Sequence, residues 1–344
     1  MGYGDVCLLG TGARAQRPAS RRRTNSCLGS GGWLMAGLST SALDLGSRQG
    51  TPSLASLWAL IPDFLAVTKP EVNFLIVVAT FTGFYLGYSG DLHNFPVERM
   101  LNALCGTLLV ASGTGTLNQY LEHRFDAQMR RTSRRPIAAG RLRPRAAAWF
   151  GISLSVVGSV YLLATVNALA SALAVFTPTT YLLIYTPLKR KTPVCTLAGA
   201  VPGAMPPLIG WAAASGSLTS ANAWMLYAML FLWQFPHFMA IAWMYREDYA
   251  WAGYLVLPQG EQSGHFMSWQ ALPASLALIP VSLIATMIGH AGLVYFVLAG
   301  ILSSLFFYYS ASLAFQRSAL AARRLLLASI VYLPLAFCLL MLEK

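Results

Sequence analysis

The chain has 344 residues, of which 56% are hydrophobic and only 10% are charged. A soluble domain carries about 25% charged residues, so the composition excludes an ordinary soluble domain and predicts an all-α, polytopic membrane protein. The net charge of +12 would also suit nucleic-acid binding. Its distribution along the chain favours membrane topology instead, and we expect no nucleic-acid partner. Five cysteines without CxxC spacing predict neither a disulfide framework nor a zinc site.

The first 55 residues are rich in Gly, Ser and Arg, and their only acids are Asp5 and Asp44. We interpret residues 1–55 as a disordered basic arm, or as translation assigned upstream of a true start at Met35. A mitochondrial presequence is the alternative. Residues 56–344 then form one membrane domain.

Nine stretches of the remaining chain are apolar over about 20 residues, the length that crosses a bilayer as a helix. Their approximate bounds are 69–89, 100–121, 146–165, 167–186, 195–214, 221–244, 271–289, 291–312 and 325–342. The fifth contains AGAVPGAMPPLIG (198–210), whose prolines remove backbone donors and predict a kinked or broken helix. We therefore expect a bundle of about nine transmembrane helices in the lipid bilayer.

The distribution of Lys and Arg predicts which membrane face each loop occupies. If the segment before the first span faces the cytoplasm, 22 of the 24 basic residues lie on that side. Such a positive-inside bias supports an odd number of spans. We expect a multi-pass protein of the cell inner membrane, with the mitochondrial inner membrane as the alternative.

The second span ends in the charged segment NQYLEHRFDAQMRRTSRRP (118–136). Asn118, Glu122 and Asp126 are four residues apart, so on a helix their side chains line one face over about 12 Å. Neighbouring carboxylates repel unless a cation lies between them or one is protonated, and such oxygen ligands suit Mg²⁺ bridging to substrate phosphates. The alternative is a helix end with internal salt bridges. The arginines that follow have planar donors that fit phosphate oxygens, although membrane topology alone also explains them.

A second membrane-length segment also ends in charge, in WQFPHFMAIAWMYREDYAWAGYLVLP (233–258). Arg246, Glu247 and Asp248 fall on the same side of the membrane as the first cluster. Two acidic helix ends at one face suggest two walls of a single site. Carboxylates, a divalent cation and arginines together indicate a site for a diphosphate.

These segments resemble the intramembrane prenyltransferases of the UbiA superfamily, and within it the branch that farnesylates haem. The resemblance covers roughly residues 60–342. It is carried by NQYLEHRFDAQMRRT with the following RRPIAAGRL, by YTPLKRKT (185–192), WQFPHF (233–238) and REDYAWAGY (246–254). It implies a UbiA-like bundle of nine helices with its polar site at one membrane face. It also implies transfer of the farnesyl group of farnesyl diphosphate to a vinyl group of haem B, giving haem O and diphosphate.

The resemblance and the residue chemistry together suggest roles for individual side chains. With Mg²⁺ as the cofactor, the metal-binding and catalytic residues are Asn118, Glu122, Asp126 and Asp248. The diphosphate-binding residues are Arg130, Arg131, Arg135, Lys189 and Arg246. The acceptor-pocket residues are His237, Tyr245 and Tyr249. Each acceptor-pocket role has a structural alternative. His237 could instead hydrogen-bond a neighbouring helix, and the two tyrosines could simply lie at the membrane interface.

Two departures from the superfamily pattern narrow this interpretation. The first acidic position of the opening motif is usually Asp, whereas this chain has Glu122, which the haem branch tolerates. Quinone-type enzymes carry paired aspartates four residues apart in the second motif, but Met244 and Ala252 flank Asp248 at that spacing. A second full metal site is therefore not expected.

Two other functions stay open at this point. A prenyltransferase with another acceptor, such as a quinone precursor or a chlorophyll, is the runner-up. A membrane transporter is a more distant alternative, because buried acids also mark ion pathways. Haem farnesylation would imply a downstream haem-modifying enzyme or a terminal oxidase assembly as a partner.

Overall fold

The computed structural model describes residues 60–258, 260, 263–287 and 291–344. The basic arm predicted for residues 1–55 lies outside them. Within the described residues every regular element is a helix, and nine spans are long and apolar enough to cross a membrane. The predicted all-α bundle and its number of spans are therefore confirmed.

The helices are numbered here in chain order. They are α1 (Ile61–Val67), α2 (Pro70–Gly87), α3 (Val97–Asp126), α4 (Pro144–Thr165), α5 (Ala168–Leu188), α6 (Cys195–Gly203), α7 (Met205–Ser215), α8 (Ala221–Met244), α9 (Arg246–Trp251), α10 (His265–Met287), α11 (Leu293–Gln316) and α12 (Ala319–Leu342). A short 3₁₀ turn lies at Leu92–Asn94, and α5 includes a π-helical stretch at Tyr181–Tyr185. α6 and α7 together form the fifth span.

Three helices extend beyond the bounds expected from hydropathy. α3 continues to Asp126 rather than ending near residue 121, α10 begins at His265 rather than near 271, and α12 begins at Ala319 rather than near 325. Each extension includes polar or charged residues, and the backbone hydrogen bonds of a helix do not require apolar side chains. Hydropathy therefore marks the membrane-embedded part of each helix and not its end.

The break expected in the proline-rich fifth span is present. α6 ends at Gly203 and α7 begins at Met205, with Ala204 between them. Pro206 and Pro207 lie in the first turn of α7. Backbone N–H groups there have no intrahelical acceptor, so proline, which lacks this group, is tolerated. The fifth and sixth spans are the most buried of the nine, so the broken helix stands at the centre of the bundle.

α2 and α7 pack backbone against backbone through two glycines. A Cβ at Gly83 would overlap the carbonyl of Pro207, and a Cβ at Gly210 would overlap the carbonyl of Thr80. Small residues permit this close approach between membrane helices, whose association depends on packing and not on the hydrophobic effect. The contact fixes α2 against the centre of the bundle.

Successive spans run in opposite directions, so several helix ends meet at one face of the bundle. The start of α2 contacts the end of α3, which also contacts the segment after α5. The loop after α3 contacts α9, directly after the end of α8. This face carries the densest charge of the chain, and it holds the charged residues predicted to form the site.

Candidate functional site

The polar motif of α3 lies in the last turns of an unusually long helix. α3 has 30 residues and therefore a length of about 45 Å, compared with about 30 Å for the hydrocarbon core of a bilayer. Asn118, Glu122 and Asp126 are only 2%, 6% and 1% exposed. Their four-residue spacing thus places three polar side chains on one buried face near the membrane surface.

Glu122 forms an ion pair with Lys189, which directly follows α5. Lys189 Nζ lies 2.8 Å from Glu122 Oε1, and it also lies over the ring of Tyr185. Burial opposes charge on the lysine, but the Glu122 carboxylate outweighs this effect and raises the pKa of Lys189 well above its usual value. The lysine therefore stays charged, and it binds the end of α5 to the end of α3.

Asp126 pairs with Arg135, which belongs to the loop after α3. Arg135 Nη1 lies 2.7 Å from Asp126 Oδ2, and the Thr132 hydroxyl donates a hydrogen bond to the backbone oxygen of Asp126. The second carboxylate oxygen, Oδ1, is buried and has no hydrogen-bond partner among the described residues. Leaving a buried carboxylate oxygen without a partner is costly, so a further ligand or ion is expected at this atom.

Lys69, at the start of α2, is a site residue that the sequence analysis did not identify. Its Nζ donates a hydrogen bond to Asn118 Oδ1 at 3.0 Å. Burial and the nearby Arg135 lower the pKa of Lys69 to about 7. Its backbone has a φ of 57°, a left-handed conformation that costs a non-glycine residue about 1–2 kcal/mol and that is often found at functional sites. The only sequence signal was a lysine directly before the proline that begins the first span.

The second acidic segment meets the first at Asp248. Its Oδ2 accepts a hydrogen bond from the backbone N–H of Arg131 at 3.4 Å, and its Oδ1 lies 3.9 Å from Arg130 Nε. Arg131 also donates to the Tyr249 hydroxyl at 3.0 Å and lies over the ring of Tyr245. The loop after α3 therefore brings the two acidic helix ends together.

Two predicted site residues have their contacts elsewhere. The guanidinium of Arg246 lies 4.8 Å from the ring centre of Trp243 and donates to the carbonyl of the same residue. His237 hydrogen-bonds Ser329 of α12 through Nδ1 at 2.7 Å, and its ring stacks on Trp233. It lies seven residues before the end of α8, about 10 Å along the helix axis. The phosphate-binding role of the arginine and the acceptor-binding role of the histidine stay predictions.

The donor set fits a magnesium ion that is shared with a phosphorylated ligand. Within the described part of the chain, no three His, Cys, Asp or Glu side chains converge to hold a metal alone. Asn118, Glu122 and Asp126 offer hard oxygens, which Mg²⁺ takes together with water and substrate phosphates, and Asp126 Oδ1 is without a partner. Arg135 and Lys189 neutralise its two carboxylates, and Lys69 becomes positively charged when a bound anion stabilises its protonated form, so the site can accept an anion.

Residues 76–336 match the UbiA prenyltransferase family. The protoheme IX farnesyltransferase of Solibacter usitatus is 43% identical over 288 residues, which cover 82% of this chain and 98% of that protein. The protoheme IX farnesyltransferase of Aquifex aeolicus is 36% identical over 280 residues, which cover 81% of this chain and 94% of that protein.

Solved structures share the fold at low sequence identity. The structure of a digeranylgeranylglyceryl phosphate synthase superposes with a TM-score of 0.64 at 17% identity, covering 83% of this chain and 100% of that one. A UbiA homologue from Archaeoglobus fulgidus bound to DMAPP and Mg²⁺ superposes with a TM-score of 0.56 at 14% identity. The match covers 81% of this chain and 99% of the homologue. Sequence match, relatives and fold agree, and the chain belongs to the UbiA prenyltransferase family.

Proposed function

We propose that this chain transfers the farnesyl group of farnesyl diphosphate to a vinyl group of haem B, forming haem O and releasing diphosphate. The observation that carries the proposal is the buried set of Asn118, Glu122 and Asp126, each bonded to a lysine or arginine side chain, at the charged face of an apolar bundle. A diphosphate needs charged partners and a farnesyl chain needs apolar ones, and this position supplies both. The relatives, named protoheme IX farnesyltransferases, support haem as the acceptor.

The basic residues of the site bind the diphosphate in this proposal. The inner donors are Lys69, Lys189 and Arg135, and the outer donors are Arg130, Arg131 and Arg246. When the bond between farnesyl C1 and oxygen breaks, its electron pair leaves with the diphosphate. Fixed cationic donors stabilise that growing charge more than they stabilise the bound substrate, and this difference accelerates the step.

We assign magnesium binding to Asn118, Glu122, Asp126 and Asp248. The partnerless Asp126 Oδ1 supports this assignment, as does the A. fulgidus UbiA homologue bound to DMAPP and Mg²⁺. When bound, Mg²⁺ neutralises phosphate charge and makes the diphosphate a better leaving group. Lys189 and Arg135 hold the two α3 carboxylates in fixed orientations, so the ligand oxygens need little reorganisation on binding.

The remaining steps join the farnesyl group to the acceptor. The faces of the Tyr245 and Tyr249 rings that Arg131 does not cover stabilise the allylic cation. His237 belongs to the acceptor pocket deeper along α8. The terminal vinyl carbon forms the new bond to farnesyl C1. The neighbouring carbon then takes a hydroxyl group from water, and the other hydrogen of that water leaves as a proton.

We place the site at the cytoplasmic face of the cell inner membrane. With nine spans, 16 of the 18 Lys and Arg residues from residue 60 onward fall on the side of the site, all but Arg99 and Lys344, as the positive-inside rule requires of a cytoplasmic face. The bacterial origin of the relatives supports an inner membrane. A haem-modifying enzyme or a terminal oxidase assembly would then receive the product.

The proposal is tested with purified protein in lipid nanodiscs, supplied with haem B, farnesyl diphosphate and Mg²⁺. We expect haem O by mass spectrometry, and none when a chelator is present. Parallel reactions contain an aromatic quinone precursor in place of haem. Prenylation of that precursor alone would assign another acceptor, and no prenylated product from either would refute prenyl transfer.

A further inference from the structure

Tyr254 lies in the segment after α9 that folds back onto the site. The chain turns at Gly253, which has a φ of 72°, and two residues later the backbone N–H of Leu255 donates to the carbonyl of Lys189 at 2.7 Å. The ring of Tyr254 is 5% exposed and packs edge-on against Phe125. This residue therefore sits between the end of α3 and the segment that carries Lys189.

The hydroxyl of Tyr254 is buried and has no hydrogen-bond partner among the described residues. Burial, reinforced by the negative charge of Glu122, raises the pKa of the phenol, so the hydroxyl keeps its proton and is a donor at neutral pH. Proteins rarely keep a buried donor unpaired, because its lost hydration is not replaced. A phenylalanine at this position could make the same ring contacts, so packing does not explain why the side chain carries a hydroxyl.

A second unpaired atom lies in the same region, and it is an acceptor. Asp126 Oδ1 has no partner among the described residues, and Asp126 follows Phe125, the ring on which Tyr254 packs. One kind of ligand uses both atoms: an anion with acceptor oxygens for the phenol, accompanied by a divalent cation for the carboxylate. A diphosphate with magnesium has this chemistry.

We infer that Tyr254 is a substrate-binding residue whose hydroxyl donates a hydrogen bond to a diphosphate oxygen. The inference rests on the proposed function, and it adds a neutral donor to a set that otherwise consists of lysines and arginines. A neutral donor fixes the orientation of the diphosphate without adding charge. The hydroxyl therefore contributes to binding of the diphosphate and not to binding of haem.

The test compares Tyr254→Phe with a matched control, Tyr332→Phe. Tyr332 lies in α12, and its buried hydroxyl lies beside Ser282 and Ser303, which belong to other helices than the site residues. Inorganic pyrophosphate with Mg²⁺ is the probe, and its inhibition constant is measured together with the KM for each substrate. We expect Tyr254→Phe to weaken pyrophosphate inhibition and raise the KM for farnesyl diphosphate by about 10- to 100-fold, the range for one hydrogen bond to a charged group. The KM for haem should stay within about twofold of wild type, and Tyr332→Phe should change none of these values.

Thermal unfolding separates this role from a structural one. Removing a hydroxyl that lacks a protein partner should leave the melting temperature of Tyr254→Phe unchanged or higher, whereas the stabilisation by pyrophosphate and Mg²⁺ should shrink. Unchanged pyrophosphate inhibition in an active Tyr254→Phe enzyme would overturn the inference and leave the proposed function intact. A wild-type protein that pyrophosphate stabilises, but that farnesylates no haem, would instead count against the proposed acceptor.

Discussion

The ion pair between Lys189 and Glu122 allows the structural and catalytic roles of the site to be separated. The two side chains are 13% and 8% exposed, and their charged atoms lie 2.8 Å apart. At an effective dielectric constant of about 20, the attraction between them is about 6 kcal/mol. Much of it offsets the desolvation of both groups, so the net value of the pair is smaller, whereas removing one partner alone costs about 3–5 kcal/mol.

We therefore expect Glu122→Gln and Lys189→Met each to lower the free energy of unfolding by about 3–5 kcal/mol, since each leaves one buried charge unpaired. The double variant should be more stable than either single variant, because no unpaired charge remains. Turnover should fall by at least about 100-fold in all three proteins, since each lacks a group assigned to the diphosphate or the metal. Chemical or thermal unfolding in detergent and the haem O assay provide the two measurements.

The exposed pair between Asp63 and Arg141 is the control. Its closest atoms lie 3.0 Å apart, and the arginine side chain is 48% exposed, so Asp63→Asn should cost no more than about 1 kcal/mol. Additive destabilisation in the Glu122/Lys189 double variant would show that the buried pair does not form. Recovery of turnover in the double variant would show that the pair only holds α3 and α5 together.

Three further variants test the site, the acceptor pocket and the packing. Asp126→Asn keeps the shape of the side chain but removes its charge, so we expect a loss of kcat of at least about 100-fold and weaker dependence on Mg²⁺, measured by metal titration of haem O formation. His237→Ala should raise the KM for haem while the KM for farnesyl diphosphate stays within about twofold; the reverse pattern would remove this residue from the acceptor pocket. Gly210→Ala should lower stability by about 1–3 kcal/mol, because its Cβ would overlap a carbonyl of α2. Gly300→Ala, whose nearest neighbour would be 3.9 Å away, should be tolerated, as thermal unfolding would show.

The helical periodicity of the motif could be predicted from the sequence because it is a local property. A spacing of four residues places Asn118, Glu122 and Asp126 on one face of any α-helix. The nine apolar stretches define the spans, and the basic loops predict their orientation. The break in the fifth span also follows locally from its prolines.

The partners of the motif residues could not be predicted, because they come from separate elements. Repulsion between Glu122 and Asp126 suggested a cation between them or protonation of one. In the structure each carboxylate has its own cationic partner, from the segment after α5 and from the loop after α3. From the sequence, Lys69 could be interpreted only as a topology residue. Its contact with Asn118 depends on the left-handed backbone conformation before α2.

The sequence by itself therefore determined the number of spans, the charge of the loops between them and the polar face of α3, since each depends only on residues that are close together in the chain. Only the tertiary structure decided which cation holds which oxygen and that the Tyr254 hydroxyl is buried beside the site. Those features depend on how helix ends from distant parts of the chain pack together, and residue spacing within one helix carries no information about that packing.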